Sequence, residues 1–129
     1  MSDYTHKSLP DVEDMAPQFG MPAEMQARFA GRPMGLERTG LTYFRLAPGF
    51  RIPFGHSHAN QEEVYVVVRG SARVKVDDEI VELGEWDAIR FDKGTTRNME
   101  GGPEGCEYLA FGAGDDPTDA EMTPGWWTE

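Results

Sequence analysis

The chain has 129 residues, a single cysteine and a formal net charge of −11. This length suits one domain and is too short for two ordinary ones. The negative charge disfavours nucleic acid and anionic membrane surfaces as partners, because the long-range electrostatic term is repulsive for both. One cysteine cannot form an intrachain disulfide, and no apolar stretch is long enough to span a bilayer. We therefore expect a cytoplasmic protein with neither an export signal nor a membrane anchor.

Residues 1–35 predict an irregular arm that contains one short helix. The first twenty residues are polar, contain Pro and Gly, and show no sustained periodicity. Further on, Pro22 suits the first turn of a helix, and Met25 and Phe29 are spaced to share one helix face. Gly31 follows as a stop signal. The pattern predicts a short amphipathic helix over residues 22–30.

Residues 36–112 predict an all-β domain, an antiparallel sandwich or barrel. Runs rich in Val, Ile, Tyr and Phe are separated by Gly, Pro or Asp every eight to twelve residues or so. In the clearest run Ala72, Val74 and Val76 alternate with polar residues, which is the period of a strand with one buried face. Strands are predicted at residues 41–46, 52–58, 63–68, 72–76, 79–83, 86–91, 96–100 and 106–111, with a loop at 101–105.

Residues 113–129 predict an acidic and irregular tail. Trp126 and Trp127 are the exception, because two adjacent indoles are costly to leave in water. We expect them to hold the tail against the barrel or against a second subunit.

His56, His58 and Glu63 are the strongest candidates for chemistry. The two histidines are two residues apart on a predicted strand, so both imidazoles should project from the same face. Glu63 opens the next strand, which can return antiparallel and bring its carboxylate beside them. Two imidazoles and one carboxylate suit Zn, Mn or Fe(II), and they leave coordination positions open for water and substrate. The alternative is a solvated edge, in which Glu63 only accepts a hydrogen bond from one imidazole.

Two runs of this sequence resemble the two motifs of the cupin family. The first motif is matched by the run GFRIPFGHSHANQEEVYVVVRG, through Gly49, His56, His58, Glu63 and Gly70. Gly49 lies one residue further upstream than is usual. The second motif is matched by the run LGEWDAIRFDKGTTRN, through Gly84, Gly94 and Asn98, with Asp92 where a proline is common. The resemblance implies a cupin-type jelly-roll β-barrel, usually a homodimer, whose motif residues line a central pocket.

Arg97 stands where the family places a third histidine ligand. Arginine stays protonated and cannot ligate a metal. A guanidinium about 5 Å from a divalent ion would repel it by several kcal/mol at an effective dielectric of about 20. Three arrangements are open: Arg97 points outward and leaves the metal with its three ligands; it binds a substrate carboxylate or phosphate; or it pairs with Glu63 and replaces the metal.

Three further residues need an interpretation. Tyr65 shares the face of Glu63 by strand parity, so we predict that it lines the pocket and, with Arg97, binds substrate. Cys106 could supply a fourth, soft ligand, but a lone cysteine is most often an inert buried residue. His6 lies in the predicted arm, where a solvated histidine is the ordinary interpretation.

Two functions compete at this point, ahead of a third in which the chain is a purely structural dimer with a vestigial pocket. The first is a metal-dependent cupin enzyme that acts on a small polar or anionic molecule; an oxygenase is favoured over an isomerase, because three ligands leave room for both substrate and dioxygen. The second is a non-catalytic, metabolite-binding cupin with a degenerate, metal-free pocket. The fold does not decide between them, because it hosts many chemistries. Both predict a small-molecule ligand and a homodimer.

Overall fold

A curled antiparallel sheet dominates the computed structural model, which describes residues 3–114 and 119–128. Its strands are β1 (Met25–Phe29), β2 (Thr39–Leu46), β3 (Phe54–His58), β4 (Gln61–Val76), β5 (Glu79–Leu83), β6 (Ala88–Phe91), β7 (Arg97–Gly114) and β8 (Ala120–Pro124). The helical elements are the single turn α1 (Gly31–Met34) and the 3-10 helices Leu9–Asp11 and Ala16–Phe19. No helix within the described ranges has the length and apolar character needed to cross a membrane. Residues 1–2, 115–118 and 129, parts of the predicted arm and tail, lie outside the described residues.

The two long strands β4 and β7 organise the sheet. They pair with each other from Gln61 opposite Gly114 to Val76 opposite Arg97. The sheet runs in the order β1, β2, β7, β3, β8 on one side, while β4 also pairs with β5 and β6 on the other. Inward side chains of β4 such as Val67 and Val74 are fully buried. This arrangement confirms the predicted all-β, jelly-roll β-barrel.

β4 and β7 are continuous where the sequence predicted interruptions. The predicted loop at residues 101–105 is wrong, because these residues lie within β7 and part of the run pairs with β4. The glycines of these strands do not mark a turn. They allow two backbones to approach closely. Gly70 has a φ of +77°, and a Cβ there would lie 2.1 Å from the carbonyl oxygen of Gly105. Two register shifts next to Gly70 bend the strand pair without ending it.

The predicted helix over residues 22–30 is wrong. Met25–Phe29 is a strand that pairs antiparallel with β2, and the only α-helical turn of the described chain follows directly after it, at Gly31–Met34. Met25 and Ala27 are buried, whereas Gln26 and Arg28, which alternate with them, are more exposed. This period of two places one face on the core, and the free edge of β2 accepts the backbone hydrogen bonds of β1.

The C-terminal segment is also more regular than predicted. Ala120–Pro124 forms β8, which pairs along the whole of β3. Trp127 is buried, and the Arg51 guanidinium lies 4.1 Å from the centre of its ring. Trp126 packs under the Lys75 ammonium at 4.4 Å. The two indoles therefore hold the segment against the barrel of their own chain.

Candidate metal site

His56, His58 and Glu63 come together as the sequence predicted. One potential ligand atom from each residue lies within 4.8 Å of the other two. Glu63 Oε1 is 3.8 Å from Nε2 of His56 and 3.8 Å from Nε2 of His58. The two imidazole rings are nearly perpendicular, with their centres 5.2 Å apart. Three donor atoms therefore face one small volume, which is the arrangement that a divalent cation requires.

Three backbone elements position this cluster. Both histidines lie on β3, and residues 59–60 link it directly to β4, which carries Glu63. β7 pairs with β3 at His56, opposite Arg97. The turn between β6 and β7 adds a hydrogen bond from the Gly94 amide to the His58 carbonyl, at 2.7 Å. The two runs of sequence identified above thus meet at the site.

Asp119 is part of the site and was not predicted. Its Oδ1 lies 2.7 Å from His58 Nδ1 and accepts a hydrogen bond from Gln61 Nε2 at 2.9 Å, while Oδ2 accepts one from the Asn60 amide at 2.6 Å. Burial tends to raise the pKa of the Asp119 carboxyl, but the hydrogen bonds from His58, Asn60 and Gln61 lower it overall. A charged carboxylate only accepts hydrogen bonds, so His58 Nδ1 is the donor, and in the neutral ring Nε2 then keeps a free lone pair. Asp119 is separated from His58 by 61 residues, and no local spacing signals the pair.

Arg97 points inward. Its side chain is 1% exposed, Nη2 donates to Glu63 Oε1, and Nη1 donates to the Thr95 carbonyl at 3.1 Å. The guanidinium also stacks near the Phe91 ring, at 4.7 Å from its centre. Of the three arrangements left open by the sequence, the structure shows the pairing with Glu63.

The protonation states suit a cation. Burial is the main cause that lowers the pKa of His56, so its imidazole is neutral at pH 7. Burial alone would raise the pKa of Glu63, but the neighbouring His56 imidazole and the charge of Arg97 lower it, so Glu63 is a carboxylate. Neutral imidazoles and an ionised carboxylate are the forms that bind metals. The donor set therefore fits a divalent cation, and the positive charge of Arg97 opposes it.

The remaining candidates are not members of this donor set. Tyr65 is buried, with its ring 4.8 Å from that of Phe91 and 5.9 Å from the Arg97 guanidinium. Its role in substrate binding, like that of Arg97, stays a prediction. Cys106 is buried, and burial raises the pKa of its thiol to about 12, as expected for an inert residue. His6 is exposed.

Comparison with known proteins identifies relatives of this fold. A family model described as "Cupin domain" matches residues 42–111, more than half of the chain. A cupin protein from Bacteroides fragilis superposes with a TM-score of 0.73 at 19% identity, covering 91% of this chain and 89% of that one. A sugar phosphate isomerase of the cupin superfamily from Silicibacter pomeroyi gives a TM-score of 0.72 at 16% identity, over 93% and 92% of the two chains.

Oxalate decarboxylase from Bacillus subtilis also resembles the chain. It superposes with a TM-score of 0.73 at 25% identity, covering 90% of this chain and 31% of the decarboxylase. The chain thus spans about a third of that enzyme. A search of curated proteins finds no match.

Proposed function

The chain belongs to the cupin family, and from this premise we propose that it binds a divalent metal ion, Fe, Mn or Zn, through His56, His58 and Glu63. The metal would be presented to a small polar or anionic molecule in the barrel pocket. The observation that carries this proposal is the meeting of three donor atoms from β3 and β4 within 4.8 Å. A solvated edge does not account for it, because Glu63 and both imidazoles are turned towards one another and largely removed from solvent.

Each side chain has a defined task in this proposal. His56 and His58 offer nitrogen donors, and Glu63 supplies the negative charge that offsets part of the charge of the cation. A bound divalent metal acts as a Lewis acid that polarises a coordinated oxygen or lowers the pKa of a bound water. Tyr65 and Phe91 pack in the interior beside Arg97, and this packing excludes water from that side of Glu63.

We propose a metal-dependent oxygenase as the enzyme class. Three protein ligands leave coordination positions for both a substrate and dioxygen, as in sites built from two histidines and one carboxylate. An isomerase is the second class, and its support is fold-level likeness to the sugar phosphate isomerase. Likeness of fold does not transfer a reaction, so activity assays have to decide.

A metal-free pocket is the competing function, and the pairing of Arg97 with Glu63 favours it. The guanidinium already neutralises the one anionic ligand and is almost fully buried. Arg97 Nε has no hydrogen-bond partner within the part of the chain that the structure describes, which leaves one buried donor for a bound molecule or water. In this case the pocket holds a metabolite without catalysis.

Metal content separates the two functions. Untagged protein, purified without added metal, would be analysed beside the His56→Ala variant and a His6→Ala control, whose histidine is exposed and is not part of the cluster. We expect near-stoichiometric Fe, Mn or Zn in the native protein and the control, and loss of it in His56→Ala. Absence of metal from all three proteins, with none taken up on reconstitution, would contradict the proposal and favour the metal-free pocket. Oxygen-uptake screens with the loaded protein follow only from the first result.

We also propose that the chain forms a homodimer, in line with its family. Phe19 and Phe29 are exposed, and their rings meet edge to face with centres 6.1 Å apart. The Phe29 ring also meets that of Phe44 edge to face, with centres 6.5 Å apart. Clustered exposed aromatic groups are typical of protein interfaces. Sedimentation equilibrium should give twice the chain mass of 14.4 kDa. A monomer at micromolar concentration would contradict this.

A further inference from the structure

β3 carries both histidines, and most of its backbone pairing is with β8. On one side β3 pairs with β7 at a single position, His56 opposite Arg97. On the other side all five residues of β3 pair with β8, from Phe54 opposite Pro124 to His58 opposite Ala120. The C-terminal strand therefore holds the backbone from which the imidazoles project.

Asp119 stands directly before β8 and connects it to the site through its side chain. The side chain is 4% exposed, and its two oxygens take hydrogen bonds from three groups at the end of β3 and the start of β4. The bond to His58 is the one with a chemical consequence. When Nδ1 of the ring carries the proton, Nε2 is the unprotonated nitrogen, and Nε2 is the atom that lies 3.8 Å from Glu63 Oε1.

We propose that Asp119 is a positioning residue for the metal site, which fixes the tautomer and the orientation of His58 and so makes metal binding depend on the C-terminal segment. This inference rests on the proposed function. Carboxylates that accept a hydrogen bond from a metal-binding histidine commonly change metal affinity by about 10–100-fold when they are removed. Here the carboxylate comes from a segment outside the two motifs that supply the ligands.

The other end of the segment is anchored independently, which makes the role of Asp119 testable. The Gly125 amide donates to the Pro53 carbonyl at 3.0 Å. The Trp126 indole covers Gly55, where an added Cβ would lie 2.7 Å from the ring. Trp127 is buried, and its carbonyl accepts a hydrogen bond from Arg51 at 3.2 Å. A change at Asp119 should therefore leave these contacts, and the docking of β8, in place.

The first test reads the imidazole directly in the metal-free protein. The chain has three histidines, so the ring nitrogen signals in two-dimensional ¹H–¹⁵N spectra can be assigned with single-histidine variants. We expect His58 to carry its proton on Nδ1 in the wild type and in a Glu121→Gln control, whose side chain is exposed on β8, two residues after Asp119. Asp119→Ala should convert His58 to a mixture of tautomers, and Asp119→Asn, which keeps an acceptor oxygen, should retain the Nδ1–H form in greater part. A wild-type His58 protonated on Nε2 would overturn the inference.

The second test measures Zn²⁺ affinity by competition with a chelator. Asp119→Ala should weaken binding by about 10–100-fold, Asp119→Asn by less, and Glu121→Gln not at all. Wild-type binding that is matched by Asp119→Ala would overturn the positioning role. A wild-type protein that takes up no Zn²⁺ would overturn the proposed function instead, and the His58 tautomer in the metal-free protein then decides whether Asp119 orients the ring.

Discussion

Removing the charge of Arg97 should increase metal affinity strongly. The guanidinium donates to Glu63 Oε1, the same oxygen that faces both imidazoles. A cation bound to that oxygen at roughly 2.1 Å would lie about 5 Å from the donor nitrogen, given an ordinary hydrogen-bond length. A unit charge and a divalent ion at about 5 Å repel by about 6–7 kcal/mol at an effective dielectric of about 20. Relief of about 2.7 kcal/mol in Arg97→Gln, less than half of this repulsion, would raise the affinity by about a hundredfold.

The assay is a competition titration of Arg97→Gln and wild type with Zn²⁺ and Mn²⁺. Arg90→Gln is the matched control, because its side chain is 61% exposed and its charge is screened by solvent. The buried pair with Glu63 is lost in Arg97→Gln, which should cost about 3–5 kcal/mol of stability, so circular dichroism must first show that the variant is folded. Unchanged or weaker metal binding by folded Arg97→Gln would refute the electrostatic reasoning.

Three further predictions concern stability and are all measured by urea unfolding. Burial lowers the pKa of His56 from 6.5, so the unfolded chain takes up a proton before the folded one. The free energy of unfolding of the metal-free protein should therefore fall as the pH drops below about 6.5. His56→Gln should flatten that fall, and equal slopes would contradict the shift. Gly70→Ala should cost about 3 kcal/mol or more because its Cβ would overlap a carbonyl oxygen, whereas Gly35→Ala, with open space and a similar φ, should cost about 1–2 kcal/mol. Equal losses would contradict the close approach at Gly70. Trp127→Ala should lower the free energy of unfolding by about 3 kcal/mol or more, because Trp127 is buried. Trp86 is 74% exposed, so Trp86→Ala should lower it by less than about 0.5 kcal/mol. A small loss of stability in Trp127→Ala would show that the tail is not anchored there.

The parts of the fold that depend on local pattern could be predicted from the sequence. The alternation around Val74 and the turn residues between runs placed strands close to where β2, β3, β5 and β6 are observed, and within the two halves of β4. The approach of His56, His58 and Glu63 could be predicted for the same reason, since two histidines on one strand face and a carboxylate across a short link leave few alternatives.

The errors come from residues with two compatible patterns. Met25 and Phe29 fit a helix face at i and i+4, but Met25 and Ala27 equally fit a strand face, and only the free edge of β2 decides between them. Gly105 was interpreted as part of a loop, whereas it lies within β7, where an added Cβ would lie 2.9 Å from the Leu46 carbonyl oxygen of β2. Both choices depend on contacts between residues far apart in the chain, which single-sequence patterns do not contain.

Asp119 and Arg97 show the same limit at the site. The hydrogen bond from His58 to Asp119 joins a motif to a segment that carries no motif. The sequence identified Arg97 as the residue at the position of a missing ligand, but the direction of its side chain depends on the buried environment formed by Phe91 and Glu63. The sequence could therefore place Arg97 at the site, but it could not predict the direction of the Arg97 side chain.

Anomalous diffraction from crystals grown with Mn²⁺ is the most direct test of the metal site. The account predicts one strong peak within bonding distance of His56 Nε2, His58 Nε2 and a carboxylate oxygen of Glu63. A map with no peak between these three residues at saturating Mn²⁺, with Arg97 still bonded to Glu63, would contradict the central claim.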